Sequence, residues 1–240
     1  MASYFNLTLD TTAPSGLTLS INSGAAVATN RIVTLNISVS DADTTGYKML
    51  IWGIDNGSGT TLTEQTAQWE NYSTTKTVTL PAGDGTKTVY IKVRDAVGNA
   101  VASAVSDTIT LDTTVPVVTI SYGPTYTVVD ANDNPVISAS GTVTETTFKF
   151  TVDDDFQAYK VMVVSNTNSL YNSEGSVQIH ETNGSSNMQG SKSSGEELFP
   201  ADTEITCTIN GADLEAASSG DGVKIIKVFA QDANGLWSEA

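Results

Sequence analysis

Gly83-Asp84-Gly85-Thr86-Lys87-Thr88-Val89-Tyr90-Ile91-Lys92-Val93-Arg94-Asp95-Ala96-Val97-Gly98-Asn99 places an apolar residue at every second position from Val89 to Val93 and closes both ends with Asp, Gly and Asn. Successive side chains of a strand point to opposite faces, so this spacing predicts a half-buried strand between two turns. The same signature runs through Leu17-Thr18-Leu19-Ser20-Ile21, Val33-Thr34-Leu35-Asn36-Ile37-Ser38-Val39 and Thr77-Val78-Thr79-Leu80. Only Ala212-Asp213-Leu214-Glu215-Ala216-Ala217 reads as helix, and so short a helix sits easily in a connection. The expected class is all-β, built from antiparallel sheets.

An internal repeat sets the number of units. Leu9-Asp10-Thr11-Thr12-Ala13-Pro14 returns 102 residues later as Leu111-Asp112-Thr113-Thr114-Val115-Pro116, and Gly83-Asp84-Gly85-Thr86-Lys87 returns 137 residues later as Gly220-Asp221-Gly222-Val223-Lys224. Between these matches 39–48 is echoed by 152–160, and Asp95-Ala96 by Asp232-Ala233. The order is the same in both copies, which predicts two tandem domains, 1–112 and 113–240. Of the 240 residues, the second copy holds 35 extra, concentrated in 122–136, 166–200 and 210–220. These stretches are rich in Ser, Asn, Gly, Asp or Pro and read as enlarged polar loops.

Charge excludes several partners. With 27 acidic residues against 11 basic and a net charge of −16, the chain has no basic stripe to neutralise phosphates, so neither nucleic acid nor an anionic membrane surface is an expected partner. Met1-Ala2-Ser3-Tyr4-Phe5-Asn6 has neither the charged nor the apolar region of a secretory leader, and no run reaches roughly 18 apolar residues. The one cysteine, Cys207, alternates within a strand-like run and is expected to be buried. The first copy carries 6 basic and 10 acidic residues and the second 5 and 17, so the second is expected to be the more solvated and the first the anchor.

At the quoted residues the chain resembles tandem bacterial immunoglobulin-like domains, in which a Leu-Asp-Thr-Thr-x-Pro junction precedes each sandwich and a stretch like 83–99 forms its late hairpin. The second copy departs from that pattern after Asp232, reading Ala233-Asn234-Gly235-Leu236-Trp237. The resemblance implies two tandem immunoglobulin-like β-sandwiches. Such modules occur in bacteriophage virions and in secreted bacterial surface proteins. Without a secretory leader, the expectation is a virion structural or decoration protein of head, tail or baseplate, made in the host cytoplasm. It would assemble with other virion proteins or with itself and add some host-surface binding. The alternative is an adhesin module that binds a cell-surface glycan.

Catalysis is not expected. The single histidine, His180, lies in a polar insertion, no zinc-protease, Walker or nucleophile-elbow motif is present, and the runs Asp153-Asp154-Asp155 and Glu196-Glu197 come with no predicted cleft. No cofactor is required, and calcium is the candidate ion. In an immunoglobulin-type sandwich the start of the first strand, the B–C loop and the F–G loop meet at one pole. Asp10, Asp41, Asp43 and Asp95 would then converge in the first unit, and Asp112, Asp153, Asp155 and Asp232 in the second, supplying the mixed oxygen ligands calcium favours. The competing reading is that these aspartates cap turns. Trp69 and Tyr72, flanking a turn-like Glu70-Asn71, are the candidate ligand-stacking pair, whereas Trp52 ends an alternating run and is expected in the core. Finally, Phe5, Leu7 and Leu9 precede the first junction as a last strand precedes the second, which makes 5–9 a candidate assembly strand for a foreign sheet edge.

Overall fold

The computed structural model describes residues 5–122, 128–164 and 176–239. The chain divides into two compact units, Met1–Thr113 and Thr114–Ala240. Each is an antiparallel β-sandwich of immunoglobulin-like type. No described helix is long and apolar enough to cross a membrane.

In the first unit the strands are β1 (Thr18–Ile21), β2 (Val27–Ala28), β3 (Ile32–Ser38), β4 (Lys48–Trp52), β5 (Glu70–Asn71), β6 (Thr75–Thr79), β7 (Gly85–Arg94) and β8 (Val105–Leu111). They form a three-stranded sheet in the order β1-β3-β6 and a five-stranded sheet in the order β2-β8-β7-β4-β5. All pairs are antiparallel except β2 with β8, where Val27 lies opposite Thr110. The alternation in sequence sets the register. Leu35 and Ile37 of β3, Met49 and Ile51 of β4, Val89, Ile91 and Val93 of β7, and Ile109 and Leu111 of β8 all turn inward into one core. Burying each such side chain contributes about 1.5–3 kcal/mol, which is what selects this register over one slipped by a residue.

The second unit contains β9 (Val118–Tyr122), β10 (Glu145–Val152), β11 (Phe156–Val164), β12 (Ser176–Gln178), β13 (Gln189–Ser191), β14 (Ile205–Asn210), α1 (Gly211–Ala217) and β15 (Ile225–Asp232). One sheet runs β14-β10-β9, and in the other β11 pairs with β15, β12 and β13. Phe148, Phe150 and Val152 face Tyr159, Val161 and Val163 across the core. Cys207 is fully buried, donates to the Asn187 carbonyl oxygen at 3.1 Å, and burial pushes its thiol up to about 12. The short helix begins where Asn210 accepts from the Ala212 amide at 2.9 Å.

The enlarged segments depart from expectation. Residues 123–127 and 165–175, parts of two of them, lie outside the described residues. The described remainder of 166–200 is more than polar loop: β12 and β13 extend the sheet along β11, and Ile179 and Met188 are fully buried. A few apolar residues spaced among many polar ones anchor this insertion, and such sparse spacing leaves no periodic signal in sequence. His180 is exposed, as expected of a loop histidine.

Candidate functional site

The site begins with Gly53, at the end of β4. Its φ of +81° is in the left-handed region, and a Cβ there would lie 2.2 Å from the Thr88 carbonyl oxygen. Only glycine lets the chain leave β4 so close to β7. The chain then folds back over the outer face of the five-stranded sheet. The Gly53 amide donates to Leu62 O at 2.9 Å and the Leu62 amide to Ile54 O at 2.8 Å. At the tip, Asp55 Oδ1 accepts from the Gly57 and Gly59 amides at 2.7 and 3.1 Å, and Arg31 pairs with Asp55 Oδ2 at 2.7 Å. Those amides, with Arg31 behind them, hold the Asp55 carboxyl below its usual range. Farther along, Glu64 pairs with Lys92 at 2.6 Å, and the Arg94 guanidinium lies 4.5 Å from the Trp69 ring. An exposed ion pair contributes only about 0–1 kcal/mol, so the Glu64 pair registers the loop more than it stabilises it.

Between this loop and the sheet lies a cleft of about 590 Å³, lined by Trp52, Leu62, Thr63, Gln65, Thr88 and Tyr90 among others. Trp52 and Tyr90 are direct cross-strand partners. Their rings stack with centroids 5.4 Å apart and planes within 7°. Such a pair contributes about 0.5–1.5 kcal/mol beyond its buried area. Tyr90 remains 37% exposed, so the aromatic wall is accessible. Of the two charged residues beside it, Glu64 is paired with Lys92, and the Lys87 ammonium is held to the rim by donating to Ala82 O at 3.2 Å. This arrangement suits an uncharged ligand that can stack on a ring and hydrogen-bond to Thr and Gln.

Trp52 is therefore not a core residue. Met49 and Ile51 take the inward positions of β4, and Trp52, one residue beyond, takes the outward one. The alternation that placed it in a strand also placed it on the face opposite the core. The surroundings of Trp69 and Tyr72 also differ from expectation. Glu70–Asn71 is strand β5 rather than a turn, Trp69 sits under Arg94, and half-buried Tyr72 packs on the core. Tyr72 meets Tyr47 edge-on at 6.4 Å, and its hydroxyl donates to Ile37 O at 3.4 Å.

Asp10, Asp43, Asp95 and Asp232 cap their own turns, whereas Asp41, Asp153 and Asp155 accept amides from segments distant in sequence. Asp10 accepts from the Thr12 amide, Asp41 from the Ser15 amide, and Asp43 from the Thr45 amide. Asp95 Oδ1 accepts from the amides of Val97, Gly98 and Asn99, and its Oδ2 from Asn99 Nδ2. Burial pushes the Asp95 carboxyl up, but these hydrogen bonds outweigh it and hold it below the usual range. Burial first, and then the fields of Asp41, Asp95, Asp10 and Asp43, raise the Tyr47 hydroxyl. In the second unit, Asp153 accepts from the Val117 amide, Asp155 from the Ala201 amide, and Asp232 from the Asn234 and Leu236 amides. The Asp112 amide donates to Ala28 O at 2.9 Å within the first unit. Among the described residues, no three His, Cys, Asp or Glu side chains group as a metal set. Phe5, Leu7 and Leu9 are 83, 83 and 84% exposed, and 5–9 joins no sheet.

No family model matches the sequence, and no curated protein matches it. Among solved structures, the chain is similar to a calcium-stabilised adhesin that helps an Antarctic bacterium reach out and bind ice, at 17% identity over 96% of this chain and 48% of that one, with a TM-score of 0.47. The chain thus spans about half the length of that adhesin. It is also similar to fibronectin(III)-like modules of CbhA from Clostridium thermocellum, at 13% identity over 92% of this chain and 89% of that one, with a TM-score of 0.38. A third similar structure belongs to carbohydrate-binding modules of the β-sandwich superfamily, at 12% identity over 96% of this chain and 100% of that one, with a TM-score of 0.33.

Proposed function

We propose that the chain is a non-catalytic binding module of the adhesin type, and that its first unit holds a neutral cell-surface glycan in the Trp52–Tyr90 cleft. The observation that carries this reading is the rigid, accessible aromatic wall beside a loop tied down at Leu62 and Glu64. Sugar rings present an apolar C–H face that stacks on aromatic rings, and Thr63, Gln65 and Thr88 can hydrogen-bond to their hydroxyls. Titration of the chain with solubilised neutral cell-wall polysaccharide is expected to perturb tryptophan fluorescence. Trp52→Ala is expected to weaken binding at least about tenfold, as loss of a central aromatic contact does. Binding that is absent, or indifferent to Trp52→Ala, would refute this reading.

A second reading, a virion structural or decoration protein made in the host cytoplasm, is favoured by the exposure of Phe5, Leu7 and Leu9 outside any sheet. An alternating segment of this kind can add to a sheet edge of another protein or of a second copy. On that reading, light scattering of the chain shows assemblies that disappear when residues 1–9 are deleted. Monomers in both cases, or assemblies that survive the deletion, count against it.

A further inference from the structure

The cleft continues onto a second surface. On the outer face of the five-stranded sheet, register places Trp52, Tyr90 and Ser106 in one row across β4, β7 and β8. Thr88 faces Thr108 in the next row, and Thr86 faces Thr110 in the one after. Ser106, Thr108 and Thr110 are exposed and are the cross-strand partners of Tyr90, Thr88 and Thr86, which line the cleft. All six residues of β7 and β8 in these rows carry hydroxyls and none is charged, in a chain of net charge −16.

Neighbouring strands lie about 4.8 Å apart, close to the advance of one sugar residue along an extended polysaccharide. A chain laid across the strands therefore meets a ring or a hydroxyl at each step. We infer that the ligand is a linear, uncharged polysaccharide bound across β4, β7 and β8, with one sugar on the Trp52–Tyr90 wall and its neighbours on Thr88, Ser106 and Thr108. This rests on the proposed glycan reading and adds chain length, direction and charge to it.

The opposite sheet supplies a control. Its outer face also carries uncharged polar side chains, with Thr34 opposite Thr77 and Asn36 opposite Thr75, but no described aromatic residue stands in its β3 or β6 rows. If hydroxyls alone sufficed, both faces would bind.

The test is calorimetric titration of the full chain with β-1,4-linked gluco-, xylo- and manno-oligosaccharides, each of two and of six units. At least one series is expected to bind, with the six-unit member about tenfold tighter than the two-unit one. The double substitution Ser106→Ala and Thr108→Val is expected to remove most of that length gain, roughly two- to tenfold for lost hydrogen bonds, and to weaken two-unit binding less than six-unit binding. Thr34→Val with Thr77→Val is expected to change neither. Binding that needs Trp52 but is independent of length, or of Ser106 and Thr108, overturns this inference and leaves the glycan reading standing. Failure of every oligosaccharide to bind counts against both.

Discussion

Gly53→Ala is expected to destabilise the first unit by about 3 kcal/mol and to abolish ligand binding at the cleft. Two costs add. A residue with a Cβ loses about 1–2 kcal/mol in the left-handed region, and here the Cβ also meets a backbone oxygen, Thr88 O, at 2.2 Å. A side chain could rotate away, but that carbonyl belongs to β7 and cannot move without disturbing the pairing of β4 with β7. The Gly53–Leu62 hydrogen bond, and with it the 61–65 wall, shifts at the same time. Gly57→Ala is the matched control: its φ is +88°, yet nothing lies within 4 Å of the added Cβ. Scanning calorimetry should show a drop of roughly 10 °C for Gly53→Ala in the first-unit transition and about half that for Gly57→Ala, which carries the conformational cost alone. Equal drops would mean that conformation alone matters and that the close approach to β7 does not.

Asp213→Ala is expected to destabilise the second unit by about 3–5 kcal/mol. The carboxylate is 2% exposed. It accepts from the Asn183 amide at 2.8 Å, from Asn183 Nδ2 at 2.8 Å and from the Ser185 amide at 3.1 Å. It thereby ties the 183–185 turn to α1. Removing it strands three donors, and an unsatisfied buried donor costs about 1–3 kcal/mol. Burial alone pushes this carboxyl up, but the hydrogen bonds from Ser185 and Asn183 outweigh it, so its folded pKa lies below the usual value. A depressed carboxylate contributes stability that is complete above its unfolded pKa, about 3.9, and is lost as pH falls through the folded value. The gap between wild type and variant should therefore be constant from about pH 7 to pH 5 and narrow only below about pH 4. Amide hydrogen exchange of β14 and β15 reports the second unit by itself. Unchanged exchange in Asp213→Ala would remove the carboxylate from any structural role.

Much of this was legible in the residues. Val89, Ile91 and Val93 sit inward because alternation and the pleat share a period of two. The repeat of Leu-Asp-Thr-Thr-x-Pro and Gly-Asp-Gly separates two similar units because each motif marks a junction or a turn. Asp95 and Asn99 were legible as a turn, since a carboxylate two to four residues before free amides caps them.

The site was less legible. Trp52 extends an apolar alternating run, and only the register against Tyr90 shows that it points away from Ile51 and the core. Trp69 and Tyr72, three residues apart, land in different surroundings because β5 carries one to the sheet's outer face under Arg94 and the other to the core. The signal that did exist was Gly53 beside an aromatic residue at a strand end.

The sequence by itself determined the all-β class, the repeat and the inward set of the clearly alternating strands such as β3 and β7, because these depend on periodicities local to the chain. The tertiary structure alone decided which aromatic residues form a wall, which distant amides Asp153 and Asp155 accept, and that Ile179 and Met188 enter a core from within a polar insertion. Those outcomes depend on which strands become neighbours. Neighbours are chosen by the summed burial of both sheets, and no single stretch of the chain carries that sum.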